Sequence, residues 1–191
     1  VKKPLPIAPI TKYLVAASLE RGSRFQIPAR TYTATDIVSR PKNNTIKSIE
    51  EIEHGLNLPV LSIIPRYRET TGNAVKEAFQ TLKTNILFSS DARKRNMLLL
   101  TSAGPREGKS STIVNLARTI ASAGERIVIV DCDLRRPTVH EHLEVDRDNG
   151  LTNFLTGSSG DTIDKYVKST RVPNLYALTC GPIPPNPPEL F

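Results

Sequence analysis

Residues Thr101 to Thr112 read TSAGPREGKSST, between the apolar run Met97-Leu98-Leu99-Leu100 and a helical pattern that opens Ile113-Val114-Asn115-Leu116-Ala117. Strand, glycine-containing turn, Gly-Lys-Ser and helix, in that order, are the parts of a phosphate-binding loop. This constrains the fold strongly, because such a loop needs a buried strand to deliver it to the N-terminus of a helix. The small residues Ala103, Gly104 and Gly108 let the backbone curl until successive N–H groups face one phosphate chain, with the positive end of the helix dipole behind them. Gly104, Pro105, Arg106, Glu107, Gly108, Lys109, Ser110 and Ser111 are therefore the candidate nucleotide contacts. Lys109 adds an ammonium group for the terminal phosphates, and the Ser110 hydroxyl is placed for a magnesium ion, so the expected ligand is a magnesium nucleoside triphosphate. One position departs from the G-x-x-x-x-G-K-[ST] pattern: Ala103 stands where the first glycine belongs, and the glycine is displaced to Gly104. The competing reading is an ordinary strand-to-helix turn with a chance Gly-Lys-Ser, and the flanking strand and helix weigh against it.

One helix further on, Arg126-Ile127-Val128-Ile129-Val130 reads as a buried strand and runs into Asp131-Cys132-Asp133-Leu134-Arg135-Arg136-Pro137. In an open α/β sheet ligands sit beyond the carboxyl ends of the strands, so both carboxylates reach the edge that carries the phosphate loop. Alternation along an extended strand end puts Asp131 and Asp133 on one side, one suited to a metal or its water and the other to accepting a proton. A plainer assignment has the two acids capping the next helix and pairing with Arg135 and Arg136. The presence of Lys109 favours the site.

SAGPREGKSS followed by VIVDCDLRRP, with EAFQTLKTNILFSS upstream and LTNFLTGSSGD and NLYALTCGPIPPNPPELF downstream, resembles the bacterial protein-tyrosine kinases of capsular and exopolysaccharide assembly. These belong with the deviant phosphate-loop ATPases that include MinD and ParA. The resemblance covers about Asn44 to Phe191, and four motifs in order make it more specific than the loop alone. It implies ATP and Mg2+ as cofactors, with Lys109 and Ser110 in the Walker A motif and Asp131 and Asp133 in the Walker A′ motif of these kinases. Lys109, Asp131 and Asp133 are thus the expected catalytic residues, and Ser110 and Asp131 the expected metal ligands. Partitioning ATPases carry an additional early lysine where this chain has Gly104, which favours the kinase branch. The implied location is the cytoplasmic face of the bacterial inner membrane. Neighbouring copies that phosphorylate one another in trans, and a membrane co-polymerase or activator segment, are the implied partners.

Two departures from the family pattern matter. The helix before the first family strand usually carries E-x-x-R-x-x-R at the subunit interface, and here it reads Glu77, Gln80, Lys83. Lysine keeps the charge without the bidentate fork, and glutamine loses the charge, which puts ring assembly by that motif in doubt. Family members also continue into a strand with a Walker B aspartate and a tyrosine-rich tail, whereas this sequence ends at Phe191, so the expectation is an interior fragment with weak or no turnover of its own. Pro4-Leu5-Pro6-Ile7-Ala8-Pro9 resembles the segment before the second membrane helix of the co-polymerases, and Asn44-Thr45-Ile46-Lys47-Ser48 resembles the segment after that helix. The apolar stretch between, Tyr13 to Leu19, is far short of the ~20 residues that span a bilayer.

Composition places the chain among globular domains, with 38% hydrophobic and 24% charged residues in 191. The predicted division is an irregular basic, proline-rich juxtamembrane-like segment at 1–43, with a short helix near Ile10 to Leu19, and a nucleotide-binding kinase domain at 44–191. In that second part the periodicity predicts a helix at Ile49–His54 behind a Ser48/Glu51 capping box, a strand at Pro59–Ile64, and a helix at Ala74–Phe88 with Ala78, Leu82, Ile86 and Phe79 inward. There follow a strand at Met97–Ser102, a helix at Ser110–Ala123, a strand at Ile127–Val130, a short helix at Leu151–Leu155 and a strand at Leu175–Leu178. Strands alternating with helices imply a three-layer α/β fold of the P-loop NTPase kind, a parallel sheet covered on both faces and incomplete at its C-terminus.

The net charge of +7 suits an anionic membrane surface, or arises because an acidic portion lies elsewhere. Its dispersed basic residues and absent tryptophan make nucleic acid an unlikely partner. Cys132 and Cys180 are expected to be free thiols, with Cys132 inside the site and open to oxidation. His140 and His142 are too closely spaced to stack on one helix face as a metal pair. The expected activity is phosphoryl transfer from magnesium ATP to a tyrosine, with Asp133 accepting the proton; its rivals are a MinD- or ParA-like ATPase and an ATP-binding co-polymerase module without catalysis.

Overall fold

The computed structural model describes residues 12–16, 48–56, 59–65, 72–88, 97–102, 107–157 and 161–190. Five strands form one sheet: β1 (Lys12–Ala16), β2 (Met97–Leu100), β3 (Ile127–Asp131), β4 (Lys168–Ser169) and β5 (Leu175–Leu178), in the spatial order β2-β1-β3-β5-β4. The helices are α1 (Ile49–Leu56), α2 (Gly72–Phe88), α3 (Lys109–Ala121), α4 (Val139–Leu143) and α5 (Leu151–Thr156), with short 3-10 turns at Ile163–Tyr166 and Pro187–Leu190. Four strands run parallel, and β4 alone is antiparallel, pairing Lys168 with Ala177 and Ser169 with Tyr176. The turn between them needs only a few residues, which is why no crossover helix intervenes.

Strand alternation sorts the core into two layers. Ile127 and Ile129 of β3, Leu175 and Ala177 of β5 and Leu98 and Leu100 of β2 face Phe79 and Leu82 of α2 and Ile113, Leu116, Ala117 and Ile120 of α3. On the opposite face Val128 and Leu178 meet Leu134, Leu151 and Cys180, with Val130, Tyr176 and Leu190 at the margin. Ile113 and Ala117, wholly buried, are one helical turn apart and form the stripe that fixes α3 on the sheet. Helices on both sides of the sheet match the expected three layers.

Two local expectations differ from the structure. Lys12–Ala16, expected as irregular chain or part of a short helix, is an extended strand in the middle of the sheet. Five residues with Tyr, Leu and Val suit a pleat, and pairing partners some 80 or more positions away decide their conformation. The segment 59–65, with a strand expected over Pro59–Ile64, joins no ladder among the described residues. It lies along α2, where the Asn85 side-chain amide donates to the Leu61 carbonyl at 2.6 Å and the Ser62 hydroxyl donates to the Ala78 carbonyl at 2.9 Å. Leu61 and Ile64 pack against the α2/α3 core, so the apolar residues of this run serve the helix rather than a sheet. The Ser48 side chain hydrogen-bonds to the Glu50 carboxylate, while the Glu51 side chain of the expected capping box lies outside the described residues. Residues 1–11 and 17–47 lie outside them too, so for the segment 1–43 only the strand is described.

Candidate nucleotide site

Parallel pairing sends β2, β1 and β3 to the same sheet edge, and two candidate motifs meet there. The phosphate-loop residues Gly104, Pro105 and Arg106, with Ala103, lie outside the described residues. From Glu107 onward the backbone is described. Gly108 is the N-cap of α3 at φ 85°, ψ 11°, a left-handed conformation that a side chain would strain. Gly108 has no side chain with which to cap α3, and the first carbonyl bond of the helix is the 2.8 Å bond from the Thr112 N–H to the Gly108 oxygen. A helix start of this kind, with a glycine turn before it, is suited to an anion. Ser110 is half-buried, whereas Glu107 and Ser111 are exposed.

Lys109 is the link between the two motifs. Its ammonium donates to Asp133 Oδ2 at 3.0 Å, and the two side chains are only 10% and 13% exposed, so the pair is shielded from bulk screening. Burial draws the Asp133 carboxyl upward, but the Arg136 N–H, at 3.0 Å from Oδ1, and the Lys109 ammonium together hold it below the ordinary carboxylate range.

Asp131 is held differently. It is 1% exposed, its Oδ1 accepts the Asp133 N–H and its Oδ2 accepts the Val139 N–H, each at 3.2 Å. Burial outweighs these bonds and pushes its pKa up to about 6. The plainer assignment is therefore true in part: Asp131 does accept the first N–H of α4, and Asp133 accepts a backbone N–H of the Arg135-Arg136 turn while its ion pair is with Lys109. Beyond that capping role, sequence reasoning missed the Asp133 and Arg136 backbone donors. Acids followed two or three residues later by a tight turn are an Asx signature that would have found them.

The thiol between the acids is not the reactive group expected. Burial first, and then the neighbouring Asp131, push Cys132 up to about 12, so thiolate is scarce at neutral pH. Cys180 is buried and raised to about 11, and both thiols are free. Among the described residues no group of three or more His, Cys, Asp or Glu side chains could hold a metal ion. Magnesium needs fewer protein ligands because it retains water, and a serine hydroxyl with strand-end carboxylates is a donor set it accepts. Glu77 and Gln80 are exposed and Lys83 half-buried, all on α2, while Phe79 and Leu82 of the same helix face the core.

Fold and site together define a class: an α/β protein of the P-loop kind, with its loop lysine opposed by a carboxylate from a second parallel strand. Comparison with known proteins narrows the class. No family model matches the chain. Tyrosine-protein kinase YwqD of Bacillus subtilis (strain 168) is 42% identical over 115 residues, which is 60% of this chain and 48% of that protein. The putative tyrosine-protein kinase CapB of Staphylococcus aureus is 38% identical over 131 residues, 68% of this chain and 57% of that protein. In structure, the kinase domain of the Escherichia coli tyrosine kinase ETK superposes with a TM-score of 0.65 at 28% identity, over 75% of this chain and 62% of that one. The family matched in both sequence and fold is that of the bacterial tyrosine-protein kinases. The chain spans about half the length of the curated relatives it matches first.

Proposed function

We propose that this chain is the nucleotide-binding part of a bacterial protein-tyrosine kinase, which takes magnesium ATP as substrate and passes a phosphoryl group to a tyrosine of a neighbouring copy. The observation that carries this reading is the Lys109–Asp133 pair at the N-terminus of α3, on the sheet edge where parallel strands deliver ligand contacts. Lys109 and the α3 amides would bind and orient the phosphates, and the Ser110 hydroxyl and Asp131 would hold magnesium or its water, which supplies charge neutralisation when bound. Asp133, ionised and hydrogen-bonded at the site, is the group suited to receive the tyrosine proton, and Asp131 fixes the turn that presents it.

The wider role we assign is control of capsular or exopolysaccharide polymerisation and export at the cytoplasmic face of the inner membrane. The proposed partners are a membrane co-polymerase or activator and further copies meeting through Glu77, Gln80 and Lys83. Among the described residues no helix is long and apolar enough to cross a membrane.

The test is incubation with labelled ATP and magnesium, reading phosphotyrosine and free phosphate, with Lys109→Ala beside the unaltered protein. Phosphotyrosine that depends on Lys109 is expected. Free phosphate without phosphotyrosine would identify a MinD- or ParA-like ATPase, and binding with neither product would identify a non-catalytic module.

A further inference from the structure

Without a ligand, the charge that Lys109 would offer to phosphate is already spoken for. Its ammonium donates to Asp133 Oδ2, and burial of both side chains keeps water from screening the pair. The two ends of the pair are held unequally. Asp133 is short, its other oxygen, Oδ1, accepts the Arg136 N–H at 3.0 Å, and its own N–H donates to Asp131 Oδ1 at 3.2 Å, so the carboxylate is fixed to its turn. Lys109 is the first residue of α3 and joins its backbone to its charge by a flexible aliphatic stem. Asp131 does not share the lysine in this way, because its two oxygens accept the Asp133 and Val139 N–H groups.

From this asymmetry we propose that the Lys109–Asp133 pair is a latch of the ligand-free site: the phosphate chain of an arriving nucleotide takes Lys109 away from Asp133, and only then is Asp133 Oδ2 free to act. The proposal rests on the reading of the site as one for magnesium ATP. One ion pair is exchanged for another with no covalent change, and the lysine swings while the carboxylate stays on its backbone donor. Opening the pair is a cost subtracted from nucleotide affinity, so the latched protein binds more weakly than one whose lysine is already released. The latch also sets an order of events. The oxygen proposed to accept the tyrosine proton is masked until the phosphoryl donor is in place, so the site is armed by its own nucleotide.

A double-mutant cycle tests the latch, with metal-free ATP in a chelator as the probe so that magnesium contacts do not enter. Asp133→Asn keeps the shape of the side chain and removes its charge. With Lys109 present it is expected to tighten binding of metal-free ATP by about fivefold or more, read by calorimetry. In the Lys109→Ala background the same substitution is expected to gain about twofold at most, because the effect acts through the lysine. An equal gain in both backgrounds would mean a general relief of negative charge and would overturn the latch, as would no gain where Lys109 is present.

A second measurement needs no variant to fold. NMR of the lysine ammonium groups in the unaltered protein is expected to show a through-hydrogen-bond coupling from the Lys109 nitrogen to the Asp133 carboxyl carbon, replaced by a coupling to phosphorus once metal-free ATP is bound. No carboxyl coupling in the free protein, or coupling to carboxyl and phosphorus together in the bound one, would overturn the exchange. The two readings fail in different ways. If ATP binds and the carboxyl coupling persists, the latch fails and the nucleotide site stands; if the carboxyl coupling is present and ATP does not bind, with or without magnesium, it is the reading of the site that fails.

Discussion

Lys109 and Asp133 are charged, largely buried and bonded to each other, so removing either leaves the other exposed to the cost of an unmatched charge. Lys109→Ala is expected to lower magnesium ATP affinity by more than about tenfold, read by calorimetry, and to destabilise the ligand-free protein by about 1–3 kcal/mol in denaturant melts. The two aspartates differ in their response to pH. Asp133, held low by Lys109 and the Arg136 N–H, stabilises the fold above its unfolded pKa, and that stability is lost as the pH falls through its folded value. Asp131, raised by burial to about 6, binds a proton more tightly folded than unfolded, so its contribution to stability declines as pH rises from about 4 to about 6. Carboxyl NMR of the nucleotide-free protein should show one site aspartate titrating near pH 6 and the other below the ordinary range; two ordinary titrations would contradict the contrast between buried Asp131 and paired Asp133.

α3 owes its position to a buried stripe and its start to one glycine. Gly108→Ala meets no atom of the described residues within 4 Å, so the cost expected from them is backbone strain, about 1–2 kcal/mol, with nucleotide affinity reduced because the strain falls at the loop. Gly181→Ala has the same φ of +85° but would place its Cβ 2.4 Å from Thr152 Oγ1 and 2.8 Å from Asn153 Oδ1. It should therefore melt lower than Gly108→Ala while leaving nucleotide affinity less affected, a crossing of effects that thermal melts and calorimetry on the two variants would reveal. Ile113→Ala, at a fully buried position between α3 and the sheet, is expected to cost about 2–5 kcal/mol. Legibility in the sequence divides along the same line between local and distant causes. The glycine before Lys109, the helical pattern of α3 and the buried apolar run of β3 are local signals, and they were legible. The conformation of Lys12–Ala16 is decided by partners far along the chain, and that of 59–65 by side chains of α2, so neither was legible from its own residues. The pairing of Lys109 with Asp133 lies between: strand order brought the two motifs to one edge, but the ion pair itself was not foreseen, and the backbone donors that separate Asp131 from Asp133 belong to a turn whose shape local periodicity does not encode.

For the molecule as a whole, a surplus of seven positive charges outlasts the pairing of Lys109 with Asp133. Binding to vesicles rich in anionic lipid is expected at low salt and should fade as salt is added, with neutral vesicles as the reference; equal binding to both would remove charge as the cause. The two-sided sheet has one more use. Cys180 is wholly buried in the layer beneath α5, Cys132 lies at its margin, and both thiols are poor nucleophiles while the protein is closed. A thiol reagent can reach Cys180 only when that layer opens, so the rate of its labelling in native buffer is a clock for the breathing of this half of the molecule. The chain thus carries its own reporter of transient opening on the segment after β5, with the partly exposed Cys132 as the reference that needs no such opening.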